Sequence, residues 1–267
     1  MQYNSSCFTK ALLLASVAPF CKAVDKCNAL VLSGGGSNGS WEAGVLWGLV
    51  HSGDPNDFTW DYITGISAGS INTAGLAGWA VGDEVLATEW LSEVLSSMKT
   101  SDVWIEYPEG PIKALTDRPS LIDTSPFISY LTSILLDERL SGGYKRDFTI
   151  GTVNVGTGEF TTFNRDNITF GEELATAAVC SSSIPAVFPP THFRDSYFMD
   201  GGTVWDVNIS SAINGCLDLV DDQSKITVDI LICGNSEMKS DTSTNNTIDN
   251  LLRSHQIKSY YSGINAI

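Results

Sequence analysis

Short apolar runs alternate with helix-like patterns along the first part of the chain. Residues 28–33 predict a short buried strand that stops at a glycine-rich loop, residues 34–39. Helical spacing of apolar residues follows at 40–50, and a second strand, around 62–64, runs into the tight turn at 65–69. An Ala- and Gly-rich stretch comes next, typical of a helix packed closely against a sheet. Strand, tight loop and helix therefore occur twice, which predicts a three-layer α/β/α fold with a mainly parallel central sheet.

The rest of the chain continues this mixture of helices and strands. Pro126 suits the first turn of a helix, whereas the prolines of residues 184–190 exclude a helix there. The further predicted elements are a helix at 83–98, an irregular surface excursion at 101–124, a hairpin of strands at 148–155 and 159–163, a helix at 172–181, a short strand at 197–199 and a last clear strand at 226–233. No repeat or linker interrupts them, so we expect one domain over residues 28–267.

The first 23 residues predict a signal peptide. Lys10 precedes an apolar run at 11–20 that is too short to span a bilayer, and Cys21-Lys22-Ala23 fits a small-x-Ala cleavage site. A buried or frayed N-terminal helix is the alternative interpretation. With a signal peptide, the mature protein would be secreted or lie in the lumen of an endomembrane or vacuolar compartment.

Glycosylation motifs agree with a secreted chain. Asn167, Asn208 and Asn245 each begin an Asn-x-Ser/Thr sequon. A further sequon at Asn38 lies inside the glycine-rich loop, and we expect it to be unmodified.

The cysteines indicate disulfide chemistry rather than a metal site. Two of the six, Cys7 and Cys21, would leave with the signal peptide. The four that remain permit three pairings, between which the sequence does not decide. They are Cys27, Cys180, Cys216 and Cys233. No C-x-x-C pair occurs and the three histidines are scattered, so a structural zinc site is not expected.

The charge balance excludes several classes of partner. Acidic residues number 31 against 15 basic ones, which gives a net charge of −16. Nucleic-acid binding needs a basic surface, and strongly anionic membranes would repel this chain. A transient contact with a neutral or zwitterionic membrane surface remains compatible, and no transmembrane segment is predicted.

The tight turn Gly65-Ile66-Ser67-Ala68-Gly69 has the Gly-x-Ser-x-Gly pattern of a serine nucleophile. A serine at a sharp strand-to-helix turn adopts a strained backbone, and glycines two residues to either side relieve the crowding. The hydroxyl then projects at the N-terminus of a helix, whose dipole favours negative charge. The motif is also a common accident, but its position between an apolar strand and a small-residue helix favours a nucleophile.

The loop Gly34-Gly35-Gly36-Ser37-Asn38-Gly39 is suited to hold an oxyanion. Glycines let backbone amides approach the negative charge that develops on a carbonyl oxygen during acyl transfer. A plain flexible turn and a dinucleotide-binding loop are alternatives, since Gly34, Gly36 and Gly39 satisfy Gly-x-Gly-x-x-Gly. The second strand, however, leads into the serine turn rather than to a ribose-binding acid. A Walker loop is excluded because Gly-Lys-Ser/Thr is missing.

Two kinds of base are possible for Ser67. A Ser-His-Asp triad would use His192 or His255, of which His255 lies in a polar segment. Asp200 ends a predicted strand and precedes Gly201 and Gly202, so its carboxylate could reach a neighbouring group with little steric cover. An ordinary Asp-Gly turn is the alternative, but a partly apolar pocket would raise the pKa of the carboxyl group enough for it to act as a base.

Together these motifs resemble the patatin-like phospholipase family. The ordered matches span roughly residues 28–205 and are the 34–39 loop, the 65–69 turn, Val155-Gly156-Thr157-Gly158-Glu159, the 181–190 segment and Asp200-Gly201-Gly202. The resemblance implies an α/β fold related to cytosolic phospholipase A2 and a Ser–Asp dyad without histidine. It implies Ser67 as nucleophile, Asp200 as base and Gly34–Gly36 in the oxyanion loop. No metal or cofactor is implied.

The chain departs from this pattern at Asn38, where the family usually has Arg or Lys. Asparagine supplies hydrogen bonds without charge, which affects substrate preference or rate. The chain also ends soon after its last clear strand, so that the C-terminal part common in plant patatins is short or missing.

The function predicted from the sequence is a lipid acyl hydrolase of phospholipase A or lysophospholipase type that works through an acyl-enzyme. A catalytically silent storage or binding protein with the same fold, and an esterase of small soluble esters, are the alternatives. Apolar residues at 103–107, namely Val103, Trp104, Ile105 and Tyr107, could form an acyl-binding wall or lid, or serve ordinary packing.

Overall fold

The computed structural model describes residues 24–234, 238, 240 and 246–264. The predicted signal peptide, Cys7, Cys21 and Asn245 lie outside these residues. The strands are β1 (Cys27–Leu32), β2 (Tyr62–Ile66), β3 (Asp147–Asn154), β4 (Phe160–Asn164), β5 (Thr191–Phe193), β6 (Ser196–Asp200) and β7 (Ile226–Leu231). The helices are α1 (Gly39–Ser52), α2 (Ala68–Leu76), α3 (Glu84–Ser97), α4 (Thr100–Val103), α5 (Pro111–Asp117), α6 (Ser125–Leu135), α7 (Glu172–Ser181), α8 (Ile209–Leu217) and α9 (Thr247–Ile264).

The sheet is parallel in one part and antiparallel in the other. Strands β7, β1, β2 and β3 are neighbours in this order, and all pair in parallel. Beyond them, β6 pairs with β3, β5 pairs with β6 and β4 pairs with β3, all antiparallel. The prediction of an α/β fold built on a parallel sheet is therefore confirmed, and the hairpin and the strands before Asp200 make the sheet a mixed one.

Strands β2 and β6 meet end to end along one edge of β3. Ile66, the last residue of β2, pairs with Gly151, and Asp200, the last residue of β6, pairs with the next residue, Thr152. The opposite edge of β3 is occupied by β4, which pairs with both positions. Because β2 is parallel and β6 antiparallel to β3, their carboxyl ends face each other, which brings Ser67 and Asp200 together.

Helices cover both faces of the sheet. Leu30 and Leu32 of β1 belong to the larger apolar core, which includes residues of α1, α2, α3, α6 and α7. Ala29 and Val31, which point to the other face, join a smaller core with Ala212 of α8. This alternation explains why β1 is a continuous apolar run, since a parallel strand is buried on both faces. Burial of a leucine side chain contributes about 1.5–3 kcal/mol.

Several elements were not predicted or were predicted too simply. The 101–124 excursion contains α4 and α5, and its two ends join through the Ile105–Asp123 bridge. The short strand β5 and the helix α8 have no counterpart in the sequence prediction. Helix α8 contains Ser210, Ser211, Asn214 and Gly215, which make its short apolar stripe difficult to recognise in the sequence.

The cysteine pairing and one sequon are decided by the fold. Cys27 of β1 and Cys216 of α8 form a disulfide, whereas Cys180 and Cys233 are buried free thiols. Asn208 is buried and its side chain accepts a hydrogen bond from the Ser211 amide at the start of α8. The Asn208 sequon is therefore not accessible to glycosylation in the folded chain. No helix among the described residues is long and apolar enough to cross a membrane.

Candidate active site

Ser67 lies in the sharp turn between β2 and α2, with φ 51° and ψ −121°. The two flanking glycines are required for steric reasons. A Cβ at Gly65 would lie 2.2 Å from the Gly69 carbonyl oxygen, and a Cβ at Gly69 would lie 2.4 Å from the carbonyl oxygen of Leu32. Strand, turn and helix therefore approach each other closely enough to exclude any side chain at both glycines, as the sequence motif predicts.

The backbone of Ser67 is held from two sides. Its amide donates to the Ser181 hydroxyl oxygen at 2.9 Å, and that hydroxyl donates to the Gly151 carbonyl at 2.6 Å. The Ser70 hydroxyl donates to the Ser67 carbonyl at 2.6 Å. Buried Ile66 fills the space beside Gly151, where an added Cβ would lie 2.5 Å from its Cδ1 atom. These contacts maintain a positive φ that a non-glycine residue otherwise avoids.

Asp200 accepts a hydrogen bond from the Ser67 hydroxyl. Its Oδ1 atom also accepts from the Gly202 amide at 2.7 Å, and its own amide donates to the Ser183 carbonyl at 2.9 Å. A Cβ at Gly201 would lie 2.5 Å from the Gly151 carbonyl oxygen, so this position needs glycine where the chain turns away from β3. The Asp-Gly-Gly motif thus serves to orient the carboxylate and to let it approach the serine.

Burial makes the Asp200 carboxylate more basic than an exposed one. Only 3% of the residue is exposed, and loss of hydration raises the pKa of its carboxyl group to about 6. Hydrogen bonds from Ser67 and Gly202 act in the opposite direction because they stabilise the anion. The carboxyl group is therefore largely ionised near pH 7 yet more basic than an exposed aspartate, the compromise that a general base requires.

The glycine-rich loop lies beside Ser67. A Cβ at Gly34 would lie 3.3 Å from the Ser67 Cβ, and a Cβ at Gly39 would lie 3.0 Å from that of Ala68. The Gly34 amide donates to the Asp206 carbonyl. Among the residues that the structure describes, the amides of Gly35 and Gly36 have no hydrogen-bond acceptor, and both are thus free to bind an oxyanion.

An apolar cavity of about 330 Å³ opens beside Ser67. Ser67, Gly36 and Ser37 line this cavity, and Lys99 and Thr100 also contribute polar groups to its lining. Its apolar wall consists of Ile71, Leu95, Met98, Val103, Trp104, Phe127, Ile184 and Phe188. A mainly apolar lining with a few polar groups is typical of a small-molecule site.

The comparison with known families agrees with this geometry. The family model described as patatin-like phospholipase matches residues 30–213, well over half of the chain. The chain belongs to the patatin-like phospholipase family. This confirms the resemblance found in the sequence.

Two solved structures resemble this patatin-like chain at low sequence identity. The first is VipD from Legionella pneumophila, with 14% sequence identity and a TM-score of 0.43; the match covers 87% of this chain and 53% of VipD. The second is the ExoU–SpcU complex from Pseudomonas aeruginosa, with 18% sequence identity and a TM-score of 0.31; the match covers 91% of this chain and 52% of the matched chain. The patatin-like chain therefore spans about half the length of the solved chains it matches. No curated protein matches the sequence.

Asn38 holds the glycine-rich loop in place through hydrogen bonds. This is the position at which the patatin-like chain departs from the family pattern. Its side-chain amide donates to the Cys233 carbonyl at 3.0 Å, and its own carbonyl accepts from the Cys233 thiol at 3.5 Å. The Cys233 amide in turn donates to the Ser33 hydroxyl at 2.8 Å. Asparagine therefore ties the glycine loop to the chain segment that follows β7.

The geometry does not support His192 as the base of the histidine triad considered in the sequence analysis. His192 is exposed on β5, and its ring packs on Tyr197 at 4.9 Å between centroids. His255 lies in α9. The hydrogen-bond partner of the nucleophile is a carboxylate, Asp200.

The apolar residues at 103–107, for which an acyl-binding wall or ordinary packing was left open, lie in two different surroundings. Val103 and Trp104 line the cavity. Ile105 instead bridges to Asp123, and the Tyr107 hydroxyl contacts the Ser120 hydroxyl at 3.1 Å.

The structure adds supporting residues that the sequence analysis missed. Ser181 links the nucleophile to β3, and Cys233 anchors the glycine loop. Glu42 and Asn72 form a buried pair behind this loop, with 2.7 Å between the Asn72 amide and a Glu42 oxygen. Asp206, six residues after Asp200, is a second buried acid at the site. A charged residue so close to the Asp-Gly-Gly motif was the one signal in the sequence that could have identified Asp206.

Proposed function

We propose that this protein is a lipid acyl hydrolase of phospholipase A or lysophospholipase type, with Ser67 as nucleophile and Asp200 as base. The observation that carries this proposal is the hydrogen bond from the Ser67 hydroxyl to the buried Asp200 carboxylate, made beside free loop amides and an apolar cavity. Family membership supports the same class of activity.

The first half of the reaction forms an acyl-enzyme. Asp200 takes the hydroxyl proton while the Ser67 oxygen bonds to the ester carbonyl carbon, whose oxygen becomes an anion. The amides of Gly35 and Gly36 stabilise that anion, and the N-terminus of α2 adds its positive dipole. The carbon–oxygen bond to the leaving alcohol then breaks, and the alcohol oxygen takes the proton from Asp200.

The second half releases the fatty acid. Asp200 takes a proton from water, and the hydroxide oxygen attacks the acyl carbon. The bond from this carbon to Ser67 breaks, the serine oxygen recovers the proton from Asp200, and the free enzyme is restored.

The cavity supports a fatty-acyl substrate. Its apolar wall offers burial to an acyl chain whose ester carbonyl lies at Ser67, and each buried methylene contributes about 0.8 kcal/mol. The net charge of −16 favours substrates presented on neutral or zwitterionic surfaces, with which the enzyme makes transient contact.

We further propose that the enzyme works outside the cytosol, in a secreted or vacuolar location. The signal peptide predicted for residues 1–23 motivates this localisation. The Cys27–Cys216 disulfide agrees with it, because disulfides persist in oxidising compartments.

Fatty-acid release from phosphatidylcholine vesicles and from a short-chain chromogenic ester tests the proposal. Wild type should hydrolyse both, and Ser67→Ala and Asp200→Asn should each lower kcat/KM by about a thousandfold or more, because the nucleophile and its base act as a unit. Ser133→Ala and Asp221→Asn, at exposed positions outside the motifs, serve as matched controls and should keep full activity.

The other outcomes identify the rival functions. Hydrolysis of the chromogenic ester alone would indicate an esterase of small soluble esters. Wild-type release no faster than that of Ser67→Ala on either substrate would contradict the proposal and indicate a catalytically silent protein with the same fold.

A further inference from the structure

The rim of the cavity beside Ser67 is polar, whereas its interior is apolar. The exposed residues of the lining are Gly36, Ser37, Ser40, Lys99 and Thr100. The first three belong to the glycine-rich loop and the start of α1, and the other two lie at the junction of α3 and α4. The apolar residues of the lining are all buried or half-buried. A lipid whose acyl chain lies in this cavity would therefore present its head group to hydroxyl groups and an ammonium group.

The charge of this rim is opposite to that of the whole chain. Among the described residues that line the cavity, Lys99 is the only basic one and none is acidic. The chain as a whole has 31 acidic residues against 15 basic ones. The glycine-rich loop at 34–39 is itself uncharged. Lys99 therefore supplies the side-chain charge at the mouth of a cavity from which acidic residues are missing.

The contacts of Lys99 leave its ammonium group available. Its backbone amide donates to a carboxylate oxygen of Asp102 at 2.8 Å, and its carbonyl accepts from the Asp102 amide at 3.0 Å. Within the described part of the chain, its side chain forms no ion pair. Six other basic residues do pair with carboxylates, namely Arg118, Arg139, Arg146, Arg165, Arg194 and Lys225. The nearby Asp102 is held by the backbone, so the Lys99 ammonium group can bind an external anion.

We propose that Lys99 determines head-group specificity by binding the phosphate group of a phospholipid whose ester carbonyl lies at Ser67. This inference rests on the proposed function. The ammonium group donates charge-assisted hydrogen bonds to the phosphate oxygens, and the rim hydroxyl groups of Ser37, Ser40 and Thr100 supply further donors. A neutral glyceride has no anion at this place. The enzyme therefore prefers phospholipids to neutral glycerides with the same acyl chains.

The local charge of the rim and the net charge of the chain act over different distances. The net charge of −16 repels a strongly anionic membrane as a whole. Lys99 acts at contact distance on the phosphate of a single lipid, where screening by salt is weaker than between distant charges. The two effects together favour zwitterionic phospholipids.

Hydrolysis of two lipids that differ only in the phosphocholine group tests this inference. Dioleoyl phosphatidylcholine and dioleoylglycerol are presented in the same neutral detergent micelles, and the ratio of their kcat/KM values is measured. Lys99→Gln should lower this ratio about fivefold, because one charged contact at an exposed rim is lost, and should leave hydrolysis of dioleoylglycerol unchanged. Lys99→Arg keeps the charge and should retain the wild-type ratio. High salt should lower the ratio in wild type but not in Lys99→Gln.

The matched control is Lys26→Gln. Lys26 is also exposed, but it lies just before β1, at the end of the parallel strands opposite to Ser67. This variant should keep the wild-type ratio. The inference is overturned if Lys99→Gln leaves the ratio unchanged, if it lowers hydrolysis of both lipids equally, or if Lys26→Gln shows the same fall.

A binding measurement needs no turnover. Octyl ethers of glycerol with and without a phosphocholine group contain no ester, and calorimetric titration below their micelle concentrations gives a Kd for each. Lys99→Gln should raise the Kd of the phosphocholine ether about fivefold and leave that of the plain ether unchanged. Equal Kd values of wild type and Lys99→Gln for the phosphocholine ether overturn the inference even in an inactive protein. Failure of the proposed function is recognised separately, by lipid hydrolysis in wild type that is no faster than in Ser67→Ala.

Discussion

At several positions in the site, close packing as well as chemistry determines which residue type is possible. Gly65 and Gly69 leave no room for a methyl group, and Gly201 lies directly against β3. These glycines and the serine between them could be predicted from the motif, because the turn geometry is encoded locally. The contacts of Asp206 and Cys233 with the glycine-rich loop could not, because these contacts join segments that are distant in the sequence.

Replacement of Gly69 by alanine tests this packing. The added methyl group would lie 2.4 Å from the Leu32 carbonyl oxygen, so strand or helix must move. We expect Gly69→Ala to lose about 1–3 kcal/mol of unfolding free energy and most of its ester hydrolysis. Chemical denaturation measures the first and the chromogenic assay the second.

Gly44→Ala is the matched control, because a methyl group at this position in α1 meets open space. It should gain about 0.5–1 kcal/mol, since glycine disfavours helix interiors. Equal stability of the two variants would contradict the packing argument.

The helices and strands differ in how accurately the sequence predicts their bounds. Helix α7 has the predicted bounds, and α1, α3 and the β3–β4 hairpin agree to within two residues at each end. These elements could be predicted because their apolar spacing and turn residues are local features of the sequence. Strand β5 was not predicted because it is only three residues long. Helix α8 was not predicted because it is only nine residues long and serine, asparagine and glycine residues interrupt its apolar positions. Both elements depend on contacts with the sheet.

Helix α3 provides a test of the acyl cavity. Leu95 lines it, so Leu95→Trp fills space that a long acyl chain would occupy. We expect the ratio of long-chain to short-chain kcat/KM to fall about tenfold or more, which corresponds to the loss of about two buried methylenes.

Leu86→Trp, at an exposed position of the same helix, should leave this ratio unchanged. An unaltered ratio in Leu95→Trp would show that the acyl chain binds elsewhere.

At the scale of the whole molecule, the site exists because β2 and β6 end at adjacent positions of β3. The sequence motifs identified Ser67 and Asp200 as candidates, but 133 residues separate them and only the sheet register shows their contact. The family resemblance implied that Ser67 pairs with Asp200, whereas the residue pattern alone did not exclude a histidine triad.

Labelling with a fluorophosphonate tests the central claim, an activated Ser67, most directly. The serine oxygen displaces fluoride from phosphorus while its proton passes to Asp200, which leaves a stable adduct that peptide mass spectrometry can locate. We expect one adduct, on Ser67, in the folded wild type, at least about a hundredfold slower labelling in Asp200→Asn, and none after denaturation. An adduct on another serine, or labelling of Ser67 that persists at the same rate in Asp200→Asn, would contradict the account.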